Sequence, residues 1–471
     1  MKKSLLTIVL LVGLVIKSMA DEGMWLPLLL GEQVYNDMVK RGLKLTKEQL
    51  YSINKSSIKD GIIIFGGGCT GEIVSSQGLI FTNHHCGYDA VAKASSMEHN
   101  YLHDGFYAKS MQEEIPADGI TVQFLTKIED VTAAVEKELN GLSGIDRLRK
   151  QAEVIADINK KYSDPSQSLE ARVSPLFKNN QFLVFVYQRY SDIRLVGVPA
   201  ESIGKFGGDT DNWEWPRHTG DFSVFRVYMS KDGKPAAYSS DNVPLKPKYS
   251  LPVSIKGYKD GDYAMIYGYP GGTNRYETSY GIKQKVDIDN PSLVDLRDMR
   301  LKFMFAEMKK DPATKLQLAS SYAGIANYWK FYDGESKQLV KYHVYDQKKE
   351  AEAKFQQWAN GKPEYQSILS DWEKAYADWR PYSKERVYLS EGIIGSPLMG
   401  YAASLLQVES AILKQGGTVA IKAAVEAADK ARTAFLKDEN KASDQNILAD
   451  ALLMFYTDID KNQHPISFYE S

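Results

Sequence analysis

The pattern of apolar and polar positions changes along the chain from short β-type runs to long helical stretches. Short apolar runs separated by turns rich in Gly, Ser and Gln are typical of an antiparallel sheet. The predicted strands cover residues 62–65, 71–74, 79–81, 182–187, 193–198 and 222–228, with two further candidates at 249–255 and 262–267. This part of the chain is therefore predicted to be a β-rich domain.

Helical periodicity appears in four segments before Asp287 and dominates everything after it. Residues 31–41 and a segment opened by the Thr46-x-x-Gln49 capping box predict two short helices. Residues 128–139 and 145–162 predict helices inserted between strands, and the chain beyond Asp287 is rich in Leu, Ala, Lys, Glu and Gln. The sequence therefore predicts an α+β protein with one domain at 21–286 and a helical domain at 287–471.

The amino-terminal residues have the order of a secretory signal peptide. Two lysines precede an apolar run at 5–16, and small residues at 18–20 precede an acidic pair. The run is shorter than the roughly 20 residues that span a bilayer, although an uncleaved anchor is the alternative. We predict that residues 1–20 are removed and that the protein is exported, without a membrane span, to the periplasm or the outer cell surface.

Composition narrows the classes of function. The 58 basic and 60 acidic residues are interspersed and give a net charge of −2, so no basic surface for nucleic acid is indicated. The 29 tyrosines indicate a folded chain rather than a disordered one. The chain has two cysteines, Cys69 and Cys86, and export would place them in an oxidising compartment. We therefore expect one disulfide.

The stretch that ends in His84-His85-Cys86 is the most informative for chemistry. Two predicted strands deliver His85 beside a cysteine, and trypsin-like proteases place a disulfide beside their catalytic histidine in the same way. A disulfide there would hold a general base in place, because misplacement of such a group is costly to rate. Both histidines could instead be structural, or one could bind zinc with the two cysteines. Zinc would require reduced thiolates, and we predict neither a metal nor another cofactor.

A general base needs a carboxylate to orient it. Asp221 is the leading candidate because it opens a predicted strand, whereas Asp209 and Asp211 stand in a Gly/Asn turn where aspartate commonly caps its own backbone. A nucleophile is harder to find. Ser143 lies in a short link between two predicted helices, and Ser396 lies in the helical region without the glycines of an oxyanion hole. Neither serine has the expected surroundings.

Two long motifs resemble the S46 family of serine peptidases, which are the dipeptidyl peptidases 7 and 11 of Gram-negative bacteria. They are GGGCTGE at 66–72 with TNHHCGY at 82–88, and GGDTDNWEWPRHTGDFS at 207–223. The resemblance covers essentially the whole mature chain. It implies a trypsin-like antiparallel double β-barrel interrupted by a large helical domain that caps the active-site cleft. Most of the second barrel would be missing from this chain.

The resemblance also implies an activity and the residues that serve it. The family removes dipeptides from the free amino end of peptides, with His85 as the general base and Asp221 as its orienting acid. Asn212 and Trp213 would hold the substrate's α-amino group, and Asn327 would reach in from the helical domain. Oligopeptides are the implied partners and a homodimer is the implied assembly. Whether acidic or hydrophobic second residues are preferred is left open.

The family's nucleophilic serine lies in a Gly-Asn-Ser-Gly-Ser type of motif that this sequence lacks. We therefore expect an incomplete sequence of a real enzyme, inactive by itself because the triad is broken. The alternative is a natural truncation that leaves a peptide-binding pseudoenzyme. Sequencing the gene beyond the codon for Ser471 would distinguish the two.

Overall fold

The computed structural model describes residues 24–413, 417–438 and 440–465. The predicted signal peptide at residues 1–20 lies outside this range. Within the described residues, no helix is both long enough and apolar enough to cross a membrane.

One antiparallel sheet runs through the first half of the described chain. Its order is β4-β9-β10-β3-β2-β1-β6-β8-β7, with β5 also paired to β9 and β11 to β10. The strands are β1 (Ile62–Phe65), β2 (Cys69–Ile73), β3 (Leu79–Thr82), β4 (Phe106–Tyr107), β5 (Ile115–Pro116), β6 (Val122–Asp130), β7 (Leu169–Leu176), β8 (Gln181–Tyr190), β9 (Asp192–Val198), β10 (Ser223–Met229) and β11 (Val243–Pro244). The α+β class is confirmed, whereas a closed double barrel stays a prediction.

Helices pack against the sheet near both of its ends and make up most of the second half of the described chain. They are α1 (Glu32–Lys40), α2 (Lys47–Leu50), α3 (His84–Ala94), α4 (Tyr101–Asp104), α5 (Thr132–Leu139), α6 (Gly144–Tyr162), α7 (Glu201–Gly204), α8 (Ser279–Gln284), α9 (Asn290–Met308), α10 (Pro312–Lys341), α11 (Val344–Ala359), α12 (Pro363–Gln366), α13 (Ile368–Val387), α14 (Pro397–Leu413), α15 (Gly417–Asp438) and α16 (Lys441–Asp458). The predicted capping box of α2 is present, with the Thr46 and Gln49 side chains each bonded to the other's backbone.

A hydrophobic core is formed by side chains from the strands that carry the candidate site and from their neighbours in the sheet. Ile63, Ile73, Ile80 and Phe225 have no exposed surface, and Phe65 has almost none. The rings of Phe65 and Phe225 are 4.8 Å apart. Alternating β-branched and aromatic residues on these strands place one face of each strand in this core. Strands β3 and β10 are therefore held against a close-packed layer.

Truncation of the central ring tests this layer. We expect Phe225→Ala to destabilise the fold by about 3–5 kcal/mol, because the cavity it leaves is closed on all sides. Denaturant unfolding of the purified variant measures the loss. Phe177→Ala, at a residue that is 67% exposed, is the control and should change stability little. Equal stability of the two variants would contradict the assigned core.

Two of the predictions from hydrophobic pattern are wrong. The helix predicted at 128–139 begins only at Thr132, because Val122–Asp130 is a strand paired with both β1 and β8. The candidate strands at 249–255 and 262–267 are not strands in the described chain. A strand needs a neighbour for its backbone N–H and C=O groups, and here Leu251 makes one isolated bond, to the carbonyl of Ile73.

Candidate active site

The local fold around His85 is a strand that turns directly into a helix. Strand β3 ends at Thr82, Asn83 is the N-cap, and α3 begins at His84. Gly87 allows α3 to lie close to β10, since a Cβ there would be 2.8 Å from the Ser223 hydroxyl. His85 is therefore fixed in the first turn of a helix that the sequence pattern did not predict.

The expected disulfide is present and joins β2 to α3. Cys69 and Cys86 are bonded across a sequence separation of 17 residues. Their sulfur atoms and a ring nitrogen of His85 all lie within 4.8 Å of one another. The zinc alternative would need both sulfurs as thiolates, and in this structure they are bonded to each other.

Removing the disulfide should cost stability. We expect the free energy of unfolding of the Cys69→Ser, Cys86→Ser double variant to be about 3 kcal/mol lower than that of the parent, because the disulfide restricts the unfolded chain. Chemical denaturation under non-reducing conditions measures the change. As a control, a reductant should destabilise the parent protein but not the double variant. A double variant as stable as the parent would contradict the expectation.

The structure brings His85 and Asp221 together at one end of the β3–β10 strand pair, where Thr82 is paired with Ser223. His85 Nδ1 lies 2.8 Å from Asp221 Oδ2, and the His85 backbone N–H donates to Asp221 Oδ1 over 3.0 Å. The Asn83 side-chain amide donates to the same Oδ2 over 3.1 Å and to the Asp221 carbonyl over 3.2 Å. Asp221 therefore holds both the ring and the backbone of His85.

The two side chains differ in exposure as a base and its orienting acid should. The His85 side chain is 68% exposed, whereas that of Asp221 is 26% exposed. Burial would raise the pKa of Asp221, but the hydrogen bonds and charge of His85 outweigh burial and hold that pKa below its ordinary value. Asp221 is therefore ionised at neutral pH. No described residue makes a hydrogen bond to the other ring nitrogen of His85.

The other sequence candidates lie elsewhere. Asp209 is 3.0 Å from the Lys205 ammonium, and Asp211 packs so closely on Gly207 that no Cβ would fit there. Both remain within their turn and neither bonds to His85.

The two serines considered from the sequence are also away from the pair. Ser143 directly precedes α6, which packs on β7 at the far end of the sheet. Ser396 is buried, and its hydroxyl accepts from the backbone N–H of Met399. No serine among the described residues hydrogen-bonds the His85 ring.

The three residues predicted to hold an amino group meet at one point. The Asn212 amide donates to Asn327 Oδ1 over 2.9 Å. The Trp213 indole N–H donates to the Asn327 carbonyl and Oδ1 over 3.0 and 3.1 Å. Asn327 lies in α10, so a loop from the sheet and a long helix build this cluster together.

Several contacts around this cluster were not predicted from the sequence. Arg217 donates to Asn212 Oδ1 over 2.9 Å, and the Phe331 ring is 5.0 Å from that of Trp213. Lys330 pairs with Glu214 at 3.3 Å and also donates to the Thr210 carbonyl. Arg217 stands inside the quoted motif, but Lys330 and Phe331 are spaced so far along the chain that only the tertiary fold shows their role.

A family model for peptidase S46 matches residues 20–469. The chain belongs to the peptidase S46 family. The predicted family is thereby confirmed over nearly the whole chain.

Relatives within the S46 family cover the chain well. It is 41% identical over 461 residues to an Asp/Glu-specific dipeptidyl-peptidase of Flavobacterium psychrophilum, covering 96% of the chain and 64% of that relative. It is 45% identical over 399 residues to dipeptidyl-peptidase 7 of Porphyromonas gingivalis, covering 84% of the chain and 56% of the relative.

A solved S46 structure also resembles the fold. DPP11 of Porphyromonas endodontalis, in complex with the dipeptide Arg-Glu, matches with a TM-score of 0.83 and 36% identity. The match covers 96% of this chain and 66% of that one. The chain therefore spans somewhat less than two-thirds of the length of these relatives.

Proposed function

We propose that the protein is a serine-type dipeptidyl peptidase that releases dipeptides from the free amino end of peptides. The observation that carries the proposal is the 2.8 Å contact between His85 Nδ1 and the sheltered carboxylate of Asp221. The two relatives described above are both named as dipeptidyl peptidases. No observation favours the peptide-binding pseudoenzyme over this reading.

The proposed chemistry is acyl transfer to water. The Nε2 atom of His85 takes the proton of a serine hydroxyl as its oxygen attacks the peptide carbonyl, and the imidazolium then gives that proton to the leaving amine. Asp221 accepts the Nδ1–H, fixes the tautomer and stabilises the imidazolium. A water molecule, activated by His85, then releases the dipeptide. The serine would come from sequence outside the described residues, and no metal takes part in these steps.

The cluster of Asn212, Trp213 and Asn327, here called the amide cluster, would make the enzyme an exopeptidase. An α-ammonium group is a hydrogen-bond donor only, so it needs acceptor atoms. The Asn212 and Asn327 side chains supply amide oxygens, and Asn327 adds its carbonyl within 3.0 Å of the Trp213 indole. A closed end wall of this kind would select a free terminus, whereas an endopeptidase needs an open groove.

The direct test compares a peptide with a free amino terminus and the same peptide acetylated there. With the protein expressed from its complete gene, we expect dipeptide release from the peptide with a free amino terminus only. Mass spectrometry of the products measures this release. Cleavage of both peptides at internal bonds would contradict the proposal. Loss of activity after treatment with a serine-directed organophosphate would support the serine type.

Substitution at the cluster should weaken binding rather than turnover. We expect Asn327→Ala to raise KM for free peptides about 10- to 100-fold, because a hydrogen bond to a charged group contributes roughly 1.5–3 kcal/mol. Steady-state kinetics with peptides of equal sequence measures the change. Gln338→Ala, at an exposed position of the same helix, is the control. An unchanged KM would contradict the assigned role of Asn327.

We further propose that the protein is exported. The support is the order of charged, apolar and small residues at 1–20. Amino-terminal sequencing of the protein recovered from cells should then begin near Asp21, and a sequence beginning at Met1 would contradict export through cleavage.

A further inference from the structure

A second imidazole lies beside the first but is used differently. His84 is 1% exposed, although its neighbour His85 projects into solvent. The Nε2 atom of His84 has no hydrogen-bond partner among the described residues. Buried polar atoms are usually paired, so an unpaired, buried Nε2 atom beside the proposed general base requires an explanation.

The His84 ring fills the space between two helices. On α3 it meets the Tyr88 ring edge-on, with centroids 5.7 Å apart. On α7 it lies against Gly204, where a Cβ would be 2.3 Å from the imidazole Cδ2 atom. The Tyr88 hydroxyl donates to Glu201 over 2.9 Å and ties the same two helices together. His84 is thus a spacer whose fit depends on glycine at 204.

Helix α7 in turn holds the segment that leads into Asp221. The Gly220 N–H donates to the Ile203 carbonyl over 2.9 Å, and the Thr219 hydroxyl donates to the Gly204 carbonyl over 2.9 Å. The next residue is Asp221. The His84 ring therefore separates the helix that carries the base from the helix that anchors its carboxylate.

The charge state of His84 suits such a spacer. Burial lowers its pKa, with smaller lowering effects from His85 and Lys205, and these outweigh the opposing charges of Asp221 and Glu201. Tyr88, whose ring contacts that of His84, is also titratable, and its hydroxyl is hydrogen-bonded to Glu201. A neutral ring at neutral pH places no second positive charge beside the imidazolium that forms on His85.

We propose that His84 is a positioning residue for the His85–Asp221 pair, and that it acts by packing its ring between Tyr88 and Gly204. The expected changes in kcat rest on the proposed function, whereas the expected effect on the geometry of the His85–Asp221 pair does not. Because Nε2 is unpaired, the shape of the ring rather than a hydrogen bond carries the role.

The test uses His84→Ala, His84→Phe and Gly204→Ala in the protein expressed from its complete gene. We expect His84→Ala and Gly204→Ala to lower kcat about 10- to 100-fold with KM unchanged, because small displacements of a catalytic group are costly. We expect His84→Phe, which keeps an aromatic ring, to retain kcat close to that of the parent. Equal losses in the phenylalanine and alanine variants would overturn the packing role.

A spectroscopic readout separates this inference from the proposed function. The proton that His85 Nδ1 shares with Asp221 should give a far-downfield proton resonance, which we expect to shift or vanish in His84→Ala and persist in His84→Phe. Val91→Ala, a buried change on the same helix, should lower thermal stability without moving the resonance or kcat. If the resonance does not move in His84→Ala, the inference is wrong. If the resonance moves as expected but the parent protein has no peptidase activity, only the proposed function is wrong.

Discussion

Replacing His85 with alanine is expected to lower kcat about a million-fold, close to the rate without the triad. The residue is proposed to act in every proton transfer of the reaction, and among the described residues no other imidazole is hydrogen-bonded to Asp221. His84 is adjacent in sequence but buried. The measurement is dipeptide release from a peptide with a free amino terminus, in the protein expressed from its complete gene.

The chain offers a matched control for this experiment. His103 makes a contact of 2.7 Å between Nδ1 and Asp104 Oδ1, and both side chains are largely exposed. The pair therefore resembles His85–Asp221 in geometry but not in shelter or surroundings. His103→Ala should leave kcat unchanged. Substantial activity in His85→Ala would remove the general base from the proposed mechanism.

The sequence predicted the parts of the fold that depend on local pattern. The runs at 62–65 and 79–81 are apolar and consist mostly of β-branched and aromatic residues, and they form β1 and β3 almost to the residue. The pairing of Cys69 with Cys86 followed from composition and compartment. These features could be predicted because the short apolar runs fit a strand better than a helix, and because two cysteines allow only one intrachain pairing.

The missed elements are those in which tertiary contacts override local preference. Helix α3 begins with two histidines and contains Gly87, which are weak helix formers, and the disulfide and the packing of Gly87 on β10 hold it in place. Strand β7 was missed because its residues are mostly half-exposed and include Pro175. It lies at the end of the sheet, where a proline is tolerated.

The candidate site also contains residues that local pattern could predict and residues that it could not. Spacing and strand context were enough to favour Asp221 over the turn aspartates, because a carboxylate that opens a strand can face a neighbouring strand. The placement of Asn327 could not be derived from pattern, since it lies 114 residues from Trp213 along the chain. The family resemblance alone pointed to it, and the structure then brought the two side chains together.

Asp221→Asn is expected to lower kcat about 10⁴-fold while leaving the local geometry in place. An amide can donate to His85 Nδ1 and so favour the wrong tautomer, with the proton on the nitrogen that should act as base. It also removes the negative charge that stabilises the imidazolium. KM should change little, because Asp221 contacts His85 and Asn83 rather than the amide cluster. Steady-state kinetics measures both constants.

The same substitution should show a pH-dependent effect on stability. The pKa of Asp221 lies below its ordinary value of 3.8 in the folded protein, so its ionised form stabilises the fold above that pH. This contribution is lost as the pH falls below 3.8 through the folded pKa. The stability difference between the parent and Asp221→Asn should therefore be constant near neutrality and shrink in acid, as measured by denaturant unfolding at several pH values.

Asp104→Asn is the matched control, because its carboxylate contacts an imidazole in the same way but is 69% exposed. It should leave both kcat and the pH dependence unchanged, since solvent screens an exposed pair. A 10⁴-fold loss in Asp221→Asn alone would show that the effect belongs to the carboxylate beside His85 and does not follow from contact between a carboxylate and any histidine. Retention of kcat in Asp221→Asn would instead mean that the Asn83 and backbone contacts suffice to orient His85, and the proposed role of the carboxylate would be wrong.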